Sequence, residues 1–275
     1  MPTDRPSIDL DAYLQRIGVA APVKPDLPTL RAILRAHIGS IPFENLDPFL
    51  GVPVSLEFDA VQRKLVHDGR GGYCFEQNLL LGNALRAIGF AVTGLAARVL
   101  WGQPDDAITA RSHMLLRVDV DGAVWLADAG FGGSTPTGPL QLVADNEQAT
   151  PHETFRLQRR DDDDWRVQMR AGNDWKTLYR FDLQPQYPID YRASNYWTST
   201  NPDSHFVTTL IAARATPGRR LVLRNREFAV HVTDGVTERR MLHNTAEIRG
   251  ALQDEFLIRL PRHLPLDQKF ENLPG

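Results

Sequence analysis

The sequence predicts an α+β protein, with helices first, strands in the middle and a mixed segment last. Three observations carry this expectation. Apolar residues recur every three to four positions through the first 90 of 275 residues. From residue 91 to about 200 the apolar period falls to two. Beyond that, strand and helix patterns both occur.

The elements follow in order. In IDLDAYLQRIG, Leu10, Tyr13, Leu14 and Ile17 fall on one helical face. In PTLRAILRAHIGSIP, Thr29 is placed to cap a helix with Leu30, Ile33, Leu34 and Ile38 inward; Gly39 and Pro42 end it. His37, on that inner face, reads as a core or interface residue. EFDAVQRKLVHDG gives a third helix, with Phe58, Val61 and Leu65 inward. After Gly71 and Gly72, FEQNLLLGNALRAIGF is apolar on most sides, as a buried helix is, and stops near Gly89.

AVTGLAARVLW and HMLLRVDVDGAVWLAD alternate as strands do, the second around an Asp-Gly turn. RLQRRDDDDWRVQM and NDWKTLYRFDL look like further hairpin arms. Asp161 to Asp164 read as a solvated hairpin tip rather than a metal site, because adjacent like charges are cheapest in water. RLVLRNREFAVHVTDGVTERRML gives strands turning at Asn225 and at Asp234–Gly235. NTAEIRGALQDEFLI gives a helix capped by Asn244 or Thr245, with Glu247 in its first turn. No repeat or low-complexity linker separates these parts, so they are expected to pack together.

Composition narrows the function. A net charge of −3 without a basic stripe gives no support to nucleic-acid binding. A single cysteine excludes an intrachain disulfide and fits a reducing compartment. The opening MPTDRPSIDLDAYL is charged and lacks the apolar core of a secretory signal, and no run of 18 apolar residues exists. A cytoplasmic protein is the expectation.

That cysteine, Cys74, sits in RGGYCFEQN, where two glycines end and a helix begins. A nucleophilic cysteine must react as thiolate, and a helix N-terminus favours negative charge. The dipole alone supplies about 0.3–1 kcal/mol, whereas lowering a thiol pKa by about three units needs roughly 4 kcal/mol. A cationic partner is required, and histidine is the usual one. In RSHMLLRVDVDGAVWLADAGFGG, a two-residue turn at Asp121–Gly122 sets Leu115 opposite Asp128, so His113 lies diagonal to Asp128 on the same face. A three-residue loop would put them on opposite faces. Cys74, His113 and Asp128 can thus form a thiol–imidazole–carboxylate set. An inert, space-filling cysteine stays open at this point. No histidine or cysteine spacing suggests a metal site. Two charged residues of the helical part, Glu44 and Arg70, are expected to pair and hold the Gly71–Gly72 turn if buried, because an unpaired buried charge costs several kcal/mol.

RGGYCFEQN, with IPFENLD upstream, SHMLLRV in the middle, LADAGFGG after it and NPDSHFV near the last part, resembles the arylamine N-acetyltransferases over most of the chain. The resemblance implies three parts: a helical bundle over 1–90 carrying the nucleophile, a β-barrel-like domain over 91–200 carrying the histidine and aspartate, and an α/β lid over 201–275. It implies a cysteine-protease-like triad with Cys74 as nucleophile, His113 as base and Asp128 as orienting carboxylate. The implied reaction moves acetyl from acetyl-coenzyme A to aromatic amines or hydrazines by a ping-pong route through acetyl-cysteine. Acetyl-coenzyme A is then a co-substrate, with no permanently bound cofactor and no metal. A role in xenobiotic metabolism, as a monomer or homodimer, goes with it. Phe43, Phe131 and Phe206 map onto the family's aromatic pocket. Ser112, Gly130 and Gly132 map near its coenzyme. GFGGSTPTG, residues 130 to 138, reads alone as a flexible β-connection as readily as a binding loop. The same three side chains would also serve a cysteine hydrolase or transglutaminase-like enzyme, and a binding protein could retain the scaffold.

Overall fold

The computed structural model describes residues 8–162, 164–233, 235–261 and 264–274. Residues 1–7, Asp163 and Asp234, which entered the readings of the N-terminus, the acidic tip and one hairpin turn, lie outside them.

The first part is helical. Helices α1 (Leu10–Ile17), α2 (Leu27–Ser40), α3 (Leu46–Phe49), α4 (Phe58–Gln62) and α5 (Cys74–Ile88) surround a buried core, with a short strand β1 (Phe43–Glu44) between α2 and α3. A π-helical turn, Arg63–His67, continues α4. Tyr13, Leu14, Ile17, Leu30, Ile33 and Leu34 are buried as their spacing required. The cap of α2 differs from expectation. Asp26 accepts from the Thr29 N–H (2.9 Å), and Pro28 occupies the first turn, so Thr29 lies inside the helix. Gly39 also remains helical; Ile41, extended ahead of Pro42, ends the helix.

Strands β2 (Ala91–Val99), β3 (Arg111–Val120), β4 (Ala123–Ala127), β5 (Leu140–Gln141), β6 (Gln148–Ala149), β7 (Thr154–Asp161), β8 (Asp164–Ala171) and β9 (Asp174–Phe181) form one antiparallel sheet in the order 5-4-3-2-9-8-7-6. Ala144, just past β5, bridges to Leu157 in β7. The two ends of the sheet therefore approach each other, and the sheet curls into a barrel around Leu95, Leu115, Phe155, Leu157, Val167 and Leu178. At the β7–β8 tip, Asp162 is exposed, but Asp164 turns back to accept from Arg166 (2.8 Å).

The end of the segment expected as strands holds a helix instead, α6 (Tyr191–Thr200), which with α7 (His205–Thr208) joins the barrel to the last part. Strands β10 (Ile211–Thr216), β11 (Arg219–Arg224), β12 (Glu227–Val232) and β13 (Thr237–Met241) form a second sheet, followed by α8 (Thr245–Gly250) and α9 (Leu266–Glu271). Asn225, in the left-handed region at φ 51°, makes the expected turn, and Asn244 caps α8. Strand β1 pairs with β10, Phe43 opposite Ala213 and Glu44 opposite Ala212. A two-residue piece of the helical part thus forms the edge of the C-terminal sheet. Its other side touches the chain just before Cys74: the Glu44 N–H donates to Gly72 O (3.1 Å), and the Gly72 N–H to Pro42 O (3.3 Å).

Candidate active site

Cys74 is the first residue of α5, 5% exposed. The glycines before it are demanded by close contacts, since neither has a positive φ. A Cβ on Gly71 would lie 2.1 Å from Pro42 O, and one on Gly72 would lie 2.6 Å from Glu76 Oε2. Glu76 folds back to accept from the Tyr73 N–H (3.1 Å), which starts the helix. The thiol therefore sits at the positive end of a 15-residue helix with its backbone clamped from both sides.

His113 and Asp128 reach it by strand register. Val120 pairs with Ala123 across a two-residue turn whose Asp121 and Gly122 have φ of 51° and 72°. Pairing runs outward to Leu116 opposite Ala127, and Asp128 follows directly. His113 Nε2 then lies 2.7 Å from Asp128 Oδ2. Opposite β2, Ala97 faces His113 but Arg98 faces Arg111, so Ser112 is an extra, bulged residue. The bulge aims Ser112 O at the thiol, 3.6 Å from Cys74 Sγ.

Asp128 is fully paired. Its Oδ1 accepts from Asn78 Nδ2 (3.1 Å) and the Gly130 N–H (2.8 Å), and its Oδ2 from His113 and the Tyr179 hydroxyl (3.0 Å). Asn78 lies one turn beyond Cys74 on α5. It also donates to Met114 O (2.7 Å) and accepts from the Ala129 N–H (3.0 Å), tying the nucleophile's helix to both strands. Sequence reasoning missed Asn78 and Tyr179. A polar residue at i+4 from the cysteine, on the same helical face, was the available signal for Asn78; Tyr179 carries none.

The electrostatics follow from these partners. Burial alone would push the His113 pKa down. The Asp128 charge and hydrogen bond, with help from the hydrogen bond and charge of Cys74, instead raise it to about 10. At neutral pH His113 is an imidazolium. Burial opposes the Asp128 charge, but the imidazolium and the donors from Gly130 and Asn78 hold its carboxyl below the usual range. Burial, then the Asp128 charge, keeps the Tyr179 phenol protonated. A carboxylate-held imidazolium beside a thiol at a helix N-terminus is an arrangement suited to nucleophilic acyl chemistry.

The expected pocket residues lie around this centre. Gly130 packs so closely that a Cβ would be 2.5 Å from Cys74 Cα. Phe131 meets the His113 ring edge-on at 5.1 Å and Tyr179 at 5.0 Å. Gly132 faces the Phe43 ring, and Phe43 and Phe206 rings are 6.2 Å apart, with Tyr73 against Phe206 at 5.6 Å. The glycine-rich stretch contains a 3-10 turn, Gly132–Ser134. Among the described residues no cluster of three metal-ligating side chains occurs, and no helix is long and apolar enough to cross a membrane.

Glu44 and Arg70 are buried and paired, Arg70 Nε to Glu44 Oε1 at 2.8 Å. The same Oε1 accepts from the Gly71 N–H (3.2 Å). The pair belongs to a larger network. Arg70 reaches Asp47 (2.9 Å), Lys64 reaches both Asp47 (2.6 Å) and Glu76 (2.7 Å), and all five charges lie behind the loop that presents Cys74. Three acids face two bases. Burial, offset only in part by Lys64 and reinforced by Asp47 and Glu44, raises the Glu76 pKa to about 7.

Comparison with known proteins identifies the family. A family profile described as N-acetyltransferase matches residues 26–264. The arylamine N-acetyltransferase of Mycolicibacterium smegmatis is 45% identical over 258 residues, 92% of this chain and 93% of that protein. The Escherichia coli K12 arylamine N-acetyltransferase is 39% identical, over 90% of this chain and 88% of that one. The solved M. smegmatis structure superposes with a TM-score of 0.93, at 42% identity, over 97% of this chain and 99% of its own. The Mycobacterium marinum enzyme, solved in complex with CoA, gives 0.92, at 39% identity, over 97% and 100%. In helix order, barrel and sequence alike, the chain belongs to the arylamine N-acetyltransferase family and is an acyltransferase.

Proposed function

We propose that this acyltransferase moves acetyl from acetyl-coenzyme A to an aromatic amine or hydrazine in two half-reactions, through an S-acetyl-Cys74 intermediate. The observation that carries the proposal is His113, held 2.7 Å from Asp128 and turned to Cys74. Cys74 Sγ attacks the thioester carbonyl as thiolate, forming a carbon–sulfur bond. The oxyanion is met by first-turn N–H groups of α5, which have no intrahelical acceptor. The carbon–sulfur bond to the coenzyme breaks, and its thiolate takes the proton from the His113 imidazolium. Neutral imidazole now faces the acetyl-cysteine. The arylamine, unprotonated at neutral pH, attacks the acetyl carbon and passes its proton to His113. Cys74 leaves as thiolate, and the initial ion pair is restored.

In this reading Phe43, Phe131 and Phe206 wall the acceptor site and exclude water from the thioester intermediate. Ser112, Gly130 and Gly132 border the coenzyme's path; the CoA complex of the M. marinum relative supports that class of donor. Residues 1–90 supply the nucleophile, 91–200 the histidine and aspartate, and 201–275 the cover. Intact-mass measurement after incubation with acetyl-coenzyme A tests the route. A single acetyl increment, discharged by an arylamine and absent from Cys74→Ala, is expected. An increment that persists in Cys74→Ala, or none in the native chain, overturns it.

A further inference from the structure

We propose that the cleft between α1, the Arg63–His67 turn and residues 253–259 binds a phosphate-bearing small molecule. The cleft has a volume of about 620 Å³. That exceeds what a lone anion needs and lies within the range of small-molecule sites, about 300–1,000 Å³.

Its chemistry is one-sided. Gln15, Arg16, His67, Gln253 and Arg259 line it, and no lining residue is acidic. Among the described residues Arg16 and Arg259 have no carboxylate partner. Arg16 donates through Nε to Leu65 O (3.1 Å), which fixes its plane, and its buried Nη2 has no acceptor. It also feels the like charges of Arg259 and Arg214. Arg214 has Glu255 nearby to offset its charge, but Arg16 has no such neighbour. Folding that gathers guanidinium groups without a counter-charge is costly unless an anion completes the set. The planar guanidinium fork matches phosphate oxygens in particular.

The rim is built to hold this shape. Leu257, 42% exposed, has φ 57°, a left-handed conformation that a leucine adopts only when its surroundings impose it. After that kink the Arg259 N–H donates to Gly69 O (3.0 Å), and the Arg259 side chain lies over Gly69, where a Cβ would meet its Cδ at 2.7 Å. The site is separate from Cys74, so the proposal stands or falls independently of the acetyl-transfer route.

Calorimetric titration with inorganic pyrophosphate, and in a second arm with ribose 5-phosphate, tests it against chloride at matched ionic strength. One site per chain is expected, weakened about tenfold in Arg16→Gln and in Arg259→Gln, as loss of a charge-assisted bond implies. Exposed Arg259 keeps the test valid should Arg16→Gln fold poorly. Tighter ribose 5-phosphate identifies an organic phosphate as the ligand class, and tighter pyrophosphate an inorganic one. No binding of either probe, or binding undiminished in Arg259→Gln and in the folded double variant, overturns the assignment.

Discussion

Asp128→Asn is the most informative single change. The carboxylate accepts four donors: Asn78 and Gly130 on one oxygen, His113 and Tyr179 on the other. Either orientation of an amide sets its NH2 against two of those donors, at about 1–3 kcal/mol of stability. The larger consequence is electrostatic. Without the Asp128 charge, burial dominates at His113, and its pKa falls from about 10 to below the ordinary imidazole value. At pH 7 the neighbour of Cys74 is then neutral. A neutral imidazole no longer offers the thiolate a cation to pair with. Loss of the imidazole tautomer and orientation adds to this, and a total of about 10³ to 10⁴ is expected for a triad of this kind. The assay is the rate of S-acetylation of Cys74 against pH by rapid quench and intact mass. In the native protein the imidazolium is present below its raised pKa and is lost as pH rises through about 10, so acetylation declines only there. In the folded variant the cation is already absent at neutrality. A variant within threefold of native at pH 7 would refute the claim that Asp128 sustains the His113 charge.

Three further changes follow from the geometry. Gly130→Ala places a Cβ 2.5 Å from Cys74 Cα and must displace the loop; S-acetylation is expected to fall about 10²-fold, and a rate within twofold of native contradicts the packing. Glu44→Gln leaves buried Arg70 with Asp47 as its remaining ion-pair partner and is expected to cost about 3–5 kcal/mol in urea unfolding, with less than 1 kcal/mol counting against a buried pair. Glu76 binds its proton more tightly when folded, about 7 against 4.5. Its contribution is therefore complete below 4.5 and lost as pH rises through about 7. Native stability should fall between pH 5 and 8 by about 2–3 kcal/mol more than that of Glu76→Gln, and parallel curves for the two proteins exclude this role.

What the sequence made legible was local. Periodicity located α1, α2 and α5, and the Asp121–Gly122 pair set the β3–β4 register on which the His113–Asp128 contact depends. What escaped was decided by distant partners. Helix α6 exposes Tyr196 and Trp197 and buries Asn195, Thr198 and Ser199, so it has no apolar stripe to betray it. Its place is set instead by Asn195, which bonds the Tyr73 hydroxyl and Val54 O (2.9 Å). Strand β1 has only two residues, and β10, some 170 positions on, makes it a strand. The five-charge network gathers residues from β1, α3, the π-helical turn and the loop before Cys74 and from α5 itself; no window of sequence contains its balance. Asp26 outcompeted Thr29 as cap because Pro28 already fits the first helical turn.

Two fully buried histidines explain why local sequence could nominate candidates but not assign their charge. His37 and His113 are both enclosed, yet their pKa values move in opposite directions. The partners of His37 are neutral. Gln77 spends its NH2 on Pro42 O (2.7 Å) and Gly72 O (3.2 Å), so its Oε1 must accept from His37 Nε2 (2.7 Å). The other nitrogen, Nδ1, is left to accept from the Tyr13 hydroxyl (2.9 Å). Both ring nitrogens are satisfied in the neutral form; burial, with the Arg16 charge adding to it and the Gln77 hydrogen bond offsetting it only in part, drops the pKa to about 4. Around His113 a carboxylate and a thiol reverse the balance. The neutral ring still bears on the site, because the glutamine it orients grips the carbonyls of Pro42 and Gly72, the two backbone groups that clamp the turn before Cys74. One histidine is uncharged and braces the loop; the other is charged and faces the sulfur that the loop presents.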